Sequence, residues 1–227
     1  MAKIIEICPQ VYQIGGSGLS RSEDCCVYLL ESHGEGAIID CGAGASADRI
    51  LENISAGGFS LDIIRYIIVT HGHIDHIGGL HTMRERLSAQ VVAHQLELPA
   101  VEEGRPNLTA AAMYRVNYLP VQVDIVLQGD QAIELGGLTV HCPHTPGHTP
   151  GGISPYVDID GQRILFGQDI HGPFSPTWGS NMNHWRQSMQ KLLDLNADIL
   201  CEGHFGIYSP GREVRNYIEG YLKQYAR

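Results

Sequence analysis

The run DIIRYIIVT, Asp62 to Thr70, ends directly on HGHIDHIGG, His71 to Gly79. Its β-branched residues mark a buried strand. A strand with this ending delivers three histidines and an aspartate, within six positions, to one place in the fold. In extended chain, residues two apart face the same side, so His71 and His73 can approach one ion together. Asp75 and His76 follow at a turn, where the alternation breaks, and can be aimed at a second ion nearby. Imidazole and carboxylate donors together suit zinc, iron or manganese. The chain has only twelve histidines, and packing gives no reason to place a quarter of them here.

A lone His-x-His is more often a polar turn with solvent-exposed rings, but His-x-His-x-Asp-His ahead of Gly-Gly is far more specific. Four donors cannot satisfy two ions, so partners are required downstream. Three stand at turn-like strand ends: His148 in HTPGHTPGG, Asp169 in LFGQDIHG and His204 in ILCEGHFG. Each follows an apolar strand or lies in a Gly/Pro turn, where a sheet presents ligands from its edge.

The first forty residues read as strands with tight turns: KIIEI, VYQIG, CCVYLLES, and GAIIDCG after HGEG. A helix fits Ala47 to Ala56, with Ser46 as N-cap and Gly57-Gly58 as stop. Residues 76–87 and 95–103 read as helical around the short strand AQVVAH, and from Gly104 to Pro120 the pattern weakens into loop. Short strands return in VDIVLQ, QAIEL, LTVHC and GISPYVDIDGQRILFG, whose Asp160-Gly161 signals a hairpin. Helices over 183–195 and 212–224 flank the strand ADILCEG. Two halves, each with strands first and helices after, predict two packed sheets with helices outside. No repeat, linker or boundary divides residues 1–227, which form one domain.

A formal charge of −10 argues against a general affinity for nucleic acid or anionic membrane, which needs surplus lysine and arginine. No apolar run approaches a spanning helix, and the N-terminus lacks a signal-peptide core, so a cytoplasmic protein with a small-molecule substrate is expected. The six cysteines show no paired spacing and read as reduced, mostly buried small side chains. Cys25 and Cys26, as strand neighbours, are expected to face opposite sides.

Over essentially its whole length the chain resembles the metallo-β-lactamase fold superfamily, through IIDCGAG, THGHIDHIGG, TPGHTPGG, FGQD and EGHF. The resemblance implies an α/β, four-layer αββα sandwich: two mixed sheets flanked by helices, with a dinuclear metal centre at one edge. It places His71, His73 and His148 on the first ion and Asp75, His76 and His204 on the second, with Asp169 bridging both. Asp40 matches the family's aspartate that orients the ligands from behind. Two divalent ions, zinc first with iron or manganese as alternatives, lower the pKa of bound water and polarise the substrate oxygen. Asp75 is the proton carrier.

Within the superfamily, the bridging Asp169 disfavours true β-lactamases, and His73 disfavours flavodiiron oxidases. The negative charge disfavours RNA-processing branches. A hydrolase of a small thioester or lactone, glyoxalase II-like or lactonase-like, is the leading reading. Departures exist: Glu202 replaces the family's proline before Gly-His, and Gly172 stands where lactonases carry a tyrosine. Arg212, Arg215, Lys223 and Arg227 either serve an anionic substrate or form a solvated helix face. The alternatives are an iron oxygenase resembling persulfide dioxygenases, with His71, His148 and Asp169 as ligands, and a phosphodiesterase. Substrate contacts are expected from residues 170–185, with His171, Trp178 and His184 as candidates. Met113, Tyr114 and Tyr118 fit an apolar lid, a piece of core or a contact in a homodimer.

Overall fold

The computed structural model describes residues 4–226; Lys3, at the start of the first expected strand, and Arg227 lie outside them. The first sheet runs β1 (Ile5–Cys8), β2 (Val11–Gly15), β3 (Val27–Ser32), β4 (Glu35–Ile39), β5 (Ile64–Ile68), β6 (Gln90–His94) and β7 (Ile125–Leu127), in that order across its width. Its neighbours are antiparallel from β1 to β4 and parallel from β4 to β7. The second sheet holds β8 (Gln131–Leu135), β9 (Leu138–Cys142), β10 (Tyr156–Ile159), β11 (Gln162–Gly167), β12 (Ile199–Glu202) and β13 (Ile207–Tyr208). Here β11 and β12 are parallel and the other neighbours antiparallel.

Alternation along the strands separates three cores. In β3, Val27 and Leu29 pack beneath α1 (Ala47–Ala56) and α3 (Leu80–Arg86), with Ile50, Ile54, Leu80 and Met83. Tyr28 and Leu30, one residue out of phase, enter the layer between the sheets. In β11, Ile164 and Phe166 join that middle layer. Leu165 faces Trp185 and Met189 of α7 (Met182–Asp194) and Val214 and Ile218 of α8 (Gly211–Gln224). Each such side chain, fully buried, contributes roughly 1.5–3 kcal/mol. The result is the expected αββα sandwich. Among the described residues no helix is long and apolar enough to cross a membrane.

Parallel pairing sets the position of the site. Gly167 of β11 is in register with Glu202 of β12, so Asp169 and His204, each two residues further on, emerge side by side. Ile39 of β4 aligns with Ile68 of β5, and Asp40 leaves the sheet at the same edge as Thr70 and His71.

Helix α1 has the expected bounds, but the Ser46 hydroxyl turns to Asp24 Oδ2 at 2.5 Å and leaves the helix without a side-chain cap. The expected helix over 76–87 starts earlier and is broken into α2 (Ile74–Ile77) and α3. The break falls at Gly78-Gly79, where side chains would collide with the backbone of Ala43 and Cys41. The helix expected over 95–103 shortens to a tight turn and α4 (Leu98–Val101). The stretch expected as loop contains α5 (Pro106–Thr109) and α6 (Ala111–Tyr114). Strand β3 begins at Val27 because the Cys25 and Cys26 amides bond out of the ladder, to Asp75 O (3.2 Å) and Gly203 O (2.7 Å). Cys25 and Cys26 still pack into different layers. All six cysteines are free.

Candidate metal centre

Seven side chains from four chain segments converge beyond the strand ends, in two clusters that share one residue. His71, His73, His148 and Asp169 form the first; Asp75, His76, His204 and Asp169 form the second. In the first, His73 Nδ1 faces His71 Nε2 at 3.2 Å and His148 Nε2 at 2.8 Å. Asp169 Oδ2 lies 3.4 Å from His148 Nε2 and 3.9 Å from His71 Nε2. In the second, Asp169 Oδ1 is 3.3 Å from His76 Nε2 and 3.2 Å from His204 Nε2, which is also 3.2 Å from Asp75 Oδ2. Asp169 therefore offers one oxygen to each cluster.

This donor set fits a cation in each position. Three imidazole nitrogens turned on one point leave at least two alike, lone pair facing lone pair or N–H facing N–H, whichever tautomers are chosen. Donors 2.0–2.1 Å from a tetrahedral zinc stand about 3.3 Å apart, close to the spacings seen. His76 Nε2 and Asp169 Oδ1 are buried 3.3 Å apart without a hydrogen bond of good geometry between them, a costly arrangement unless an ion takes both.

The clusters differ electrostatically. Burial, then the neighbouring imidazoles, hold His71 well below the usual histidine range and bring His73 to about 3. Burial likewise brings His148 to about 4. In the second cluster burial also opposes charge, but Asp169 and Asp75 prevail and raise His204 to about 10. His76 stands well above its usual value, burial being outweighed by Cys25 and the carboxylates of Asp169, Asp40 and Asp75. The first cluster thus presents bare lone pairs, and the second holds protons that a cation would replace.

Asp40 organises the motif from below. Its Oδ1 accepts from Thr70 N (2.8 Å), and its Oδ2 accepts from Thr70 Oγ1 (2.7 Å) and His76 Nδ1 (2.8 Å). The last bond fixes the His76 tautomer, with Nε2 toward the second cluster. Asp40 holds φ at +62°, a left-handed conformation that aspartate tolerates better than most residues and that often marks functional sites.

The loop after β11 covers the first cluster. Trp178 sets its ring edge-on to His73, 4.7 Å between centroids, and the Ser180 hydroxyl donates to His148 O at 2.6 Å. Gly147, at φ +145°, lets the His148 turn pass against the Trp185 backbone, where a β-carbon would collide. His171 lines a cavity of about 350 Å³ together with Asp75, Asp169, Tyr114, His204 and Phe205. His184 is not brought to the site: it is exposed in the first turn of α7, and its amide bonds to Asn181. Its neighbour Trp185 takes the inward position, about 100° away around the helix.

The three residues of the 104–120 stretch separate. Tyr114 lines the cavity beside Asp75, Tyr118 packs on the helix-side core with its hydroxyl on Val101 O, and Met113 is exposed. Burial and then the Asp75 charge push the Tyr114 hydroxyl up. The cations of α8 pair along the helix, Arg212 with Glu213 and both Arg215 and Lys223 with Glu219, so they form the solvated face.

Two acidic residues at the site carry more than the motifs reveal. Glu97, after β6, accepts from Gly72 N and Gly151 N, and Glu202 accepts from His171, His204 N and Phe205 N. The available signal for Glu97 is a lone acid inside the apolar run QLELPAV, next to the strand that carries the motif.

With this geometry, the family model of the metallo-beta-lactamase superfamily matches residues 23–204; the chain belongs to that superfamily and is a metal-dependent hydrolase. It is 32% identical over 185 residues to the hydroxyacylglutathione hydrolase of Methylobacillus flagellatus, covering 80% of this chain and 62% of that protein. With hydroxyacylglutathione hydrolase GloC of Haemophilus influenzae it is 26% identical over 207 residues, covering 84% and 90%. A motif mutant of the HARLDQ metallo-beta-lactamase of Cronobacter sakazakii superposes with a TM-score of 0.85 at 25% identity, over 100% of this chain and 96% of that one.

Proposed function

We propose that the chain is a dinuclear, zinc-type hydrolase acting on a small thioester or lactone. The observation that carries this reading is Asp169, whose two oxygens each face a separate histidine cluster. Bound there, two divalent cations supply an activated water and a Lewis acid at neutral pH. The chain's own residues do the rest. His71, His73 and His148 hold one position in neutral form, and Asp40 fixes the tautomer of His76 for the other. Asp75 lines the cavity, 3.2 Å from His204, and is placed to take a proton and hand it to the departing group.

The thioester preference is supported by the relatives named hydroxyacylglutathione hydrolases. The cavity supports a small substrate, since its lining mixes Tyr114, Pro173 and Phe205 with Ser17 and Ser22.

Replacing Asp169 with alanine is expected to remove metal from both positions and to cut turnover by more than about 100-fold, beyond the usual loss for residues outside the ligand set. Full metal content with retained activity would sink the bridging role. A hydrolysis panel of thioesters, lactones, phosphodiesters and β-lactams, run with elemental analysis, tests the substrate class. One iron per chain with oxygen consumption would favour the oxygenase reading instead.

A further inference from the structure

Each cluster is backed by a buried glutamate that touches no donor atom yet ties together two of the loops bearing them. Glu97 is 3% exposed and Glu202 is 0% exposed. A carboxylate buried so deeply must spend its acceptor oxygens on good donors. Glu97 Oε2 accepts from Gly72 N at 2.8 Å, midway between His71 and His73, and Oε1 accepts from Gly151 N at 2.7 Å, just after His148. The fit is close: a β-carbon at Gly72 would lie 2.8 Å from Glu97 Oε2, and one at Gly151 2.9 Å from Oε1. Glu97 therefore fastens the 71–73 loop to the 148–151 loop, the two loops that hold the first cluster's histidines.

Glu202 does the same on the other side. Its Oε2 accepts from His204 N (2.6 Å) and Phe205 N (2.9 Å), and its Oε1 accepts from His171 Nδ1 at 2.9 Å. A carboxylate cannot donate here, so His171 carries the proton on Nδ1. Through His171, two residues past the shared Asp169, Glu202 fastens the 169–171 loop to the loop bearing His204.

We propose that Glu97 and Glu202 are positioning residues with divided duties, Glu97 setting the first metal position and Glu202 the second. The assignment rests on the two-ion reading. Its distinguishing consequence is selectivity. Loss of a glutamate that merely supported the fold would weaken both positions together.

The experiment titrates Co(II) into the metal-free full-length protein and follows its visible absorption, with metal content measured after dialysis. His148→Ala and His204→Ala serve as references for an ion confined to the second and the first position. Glu97→Ala is expected to weaken the first position 10- to 100-fold, the range for partners behind metal ligands, and its remaining ion should absorb as in His148→Ala. Glu202→Ala is expected to show the reverse, matching His204→Ala. Glu→Gln variants keep one acceptor oxygen and should give smaller losses at the same position; they replace the alanine variants if those do not fold. Melting of the metal-free forms by circular dichroism shows that a variant titrated is a variant folded. Equal weakening of both positions, or no change at either, overturns the assignment. Wild-type protein that never takes a second ion overturns the two-ion reading itself and this assignment with it.

Discussion

Around His71, His73 and His148 the donors are imidazoles held away from solvent, 0%, 4% and 2% exposed. Around Asp75 and Asp169 two carboxylates meet His204, whose side chain is 23% exposed. The cavity opens on Asp75, Asp169 and His204, while Trp178 leans over His73. The same kinds of residue, a few ångströms apart, thus build a closed holder and an open door. What separates them is both the donors they contain and the loops that cover them.

The sharpest way to break this comparison is to delete one histidine from each side. His148→Ala is expected to lose the first ion and His204→Ala the second, each keeping about one ion per chain and losing more than about 100-fold in kcat. Elemental analysis after gel filtration reads the count; a variant that sheds both ions shows that the clusters do not hold metal separately. Stepwise chelation sharpens the same point. The second position, behind the partly exposed His204, should empty first, leaving a one-ion form that stopped-flow absorbance of the Co(II) protein can resolve. A single release phase would put the two positions on equal footing.

Smaller effects follow from residues behind and above the donors. Asp40→Ala leaves His76 without its Nδ1 partner and should lower second-position affinity 10- to 100-fold, while the first position changes less. Isothermal titration with Zn(II) tests this, and equal loss at both positions would make Asp40 a support for the whole motif. Smallest is Trp178→Ala. Losing an edge-on aromatic contact of about 0.5–1.5 kcal/mol should speed release of the first ion roughly 2- to 10-fold and leave the second unaffected.

The donors were legible in the sequence because their signals are local. Strand, turn and ligand spacing sit within a few residues of each other, and HGHIDH needs no knowledge of the rest of the chain. The sheets were legible for the same reason: Val27 and Leu29 alternate with Tyr28 and Leu30 whatever they pack against. The role of Glu97 was not legible, because it is defined by Gly72 and Gly151, respectively 25 and 54 residues away, and the lone acid in QLELPAV marks the residue without naming its partners. Tyr114 was among three candidates for a lid, a piece of core or a dimer contact, and a stretch of short helical turns with weak periodicity gave no way to tell which of the three reaches the cavity. His184 failed for a different reason: the segment reached the site, but helix phase gave the inward position to Trp185. The break at Gly78-Gly79 depended on a close approach to Ala43 and Cys41 that helix propensity does not encode.

The register between β11 and β12 has a consequence for how such a protein can change. Asp169 and His204 are neighbours because two parallel strands end together, so their spacing is inherited from the ladder and not from the loops that follow. The stretches that shape the cavity, 104–120 and the part of 170–185 beyond His171, lie outside that ladder. They can change without moving Asp169 and His204, although Ser180 and Trp185 also brace the His148 turn. Substrate range and metal chemistry are therefore separable traits in this architecture. A lineage, or an engineer, can revise the first while the second stays fixed.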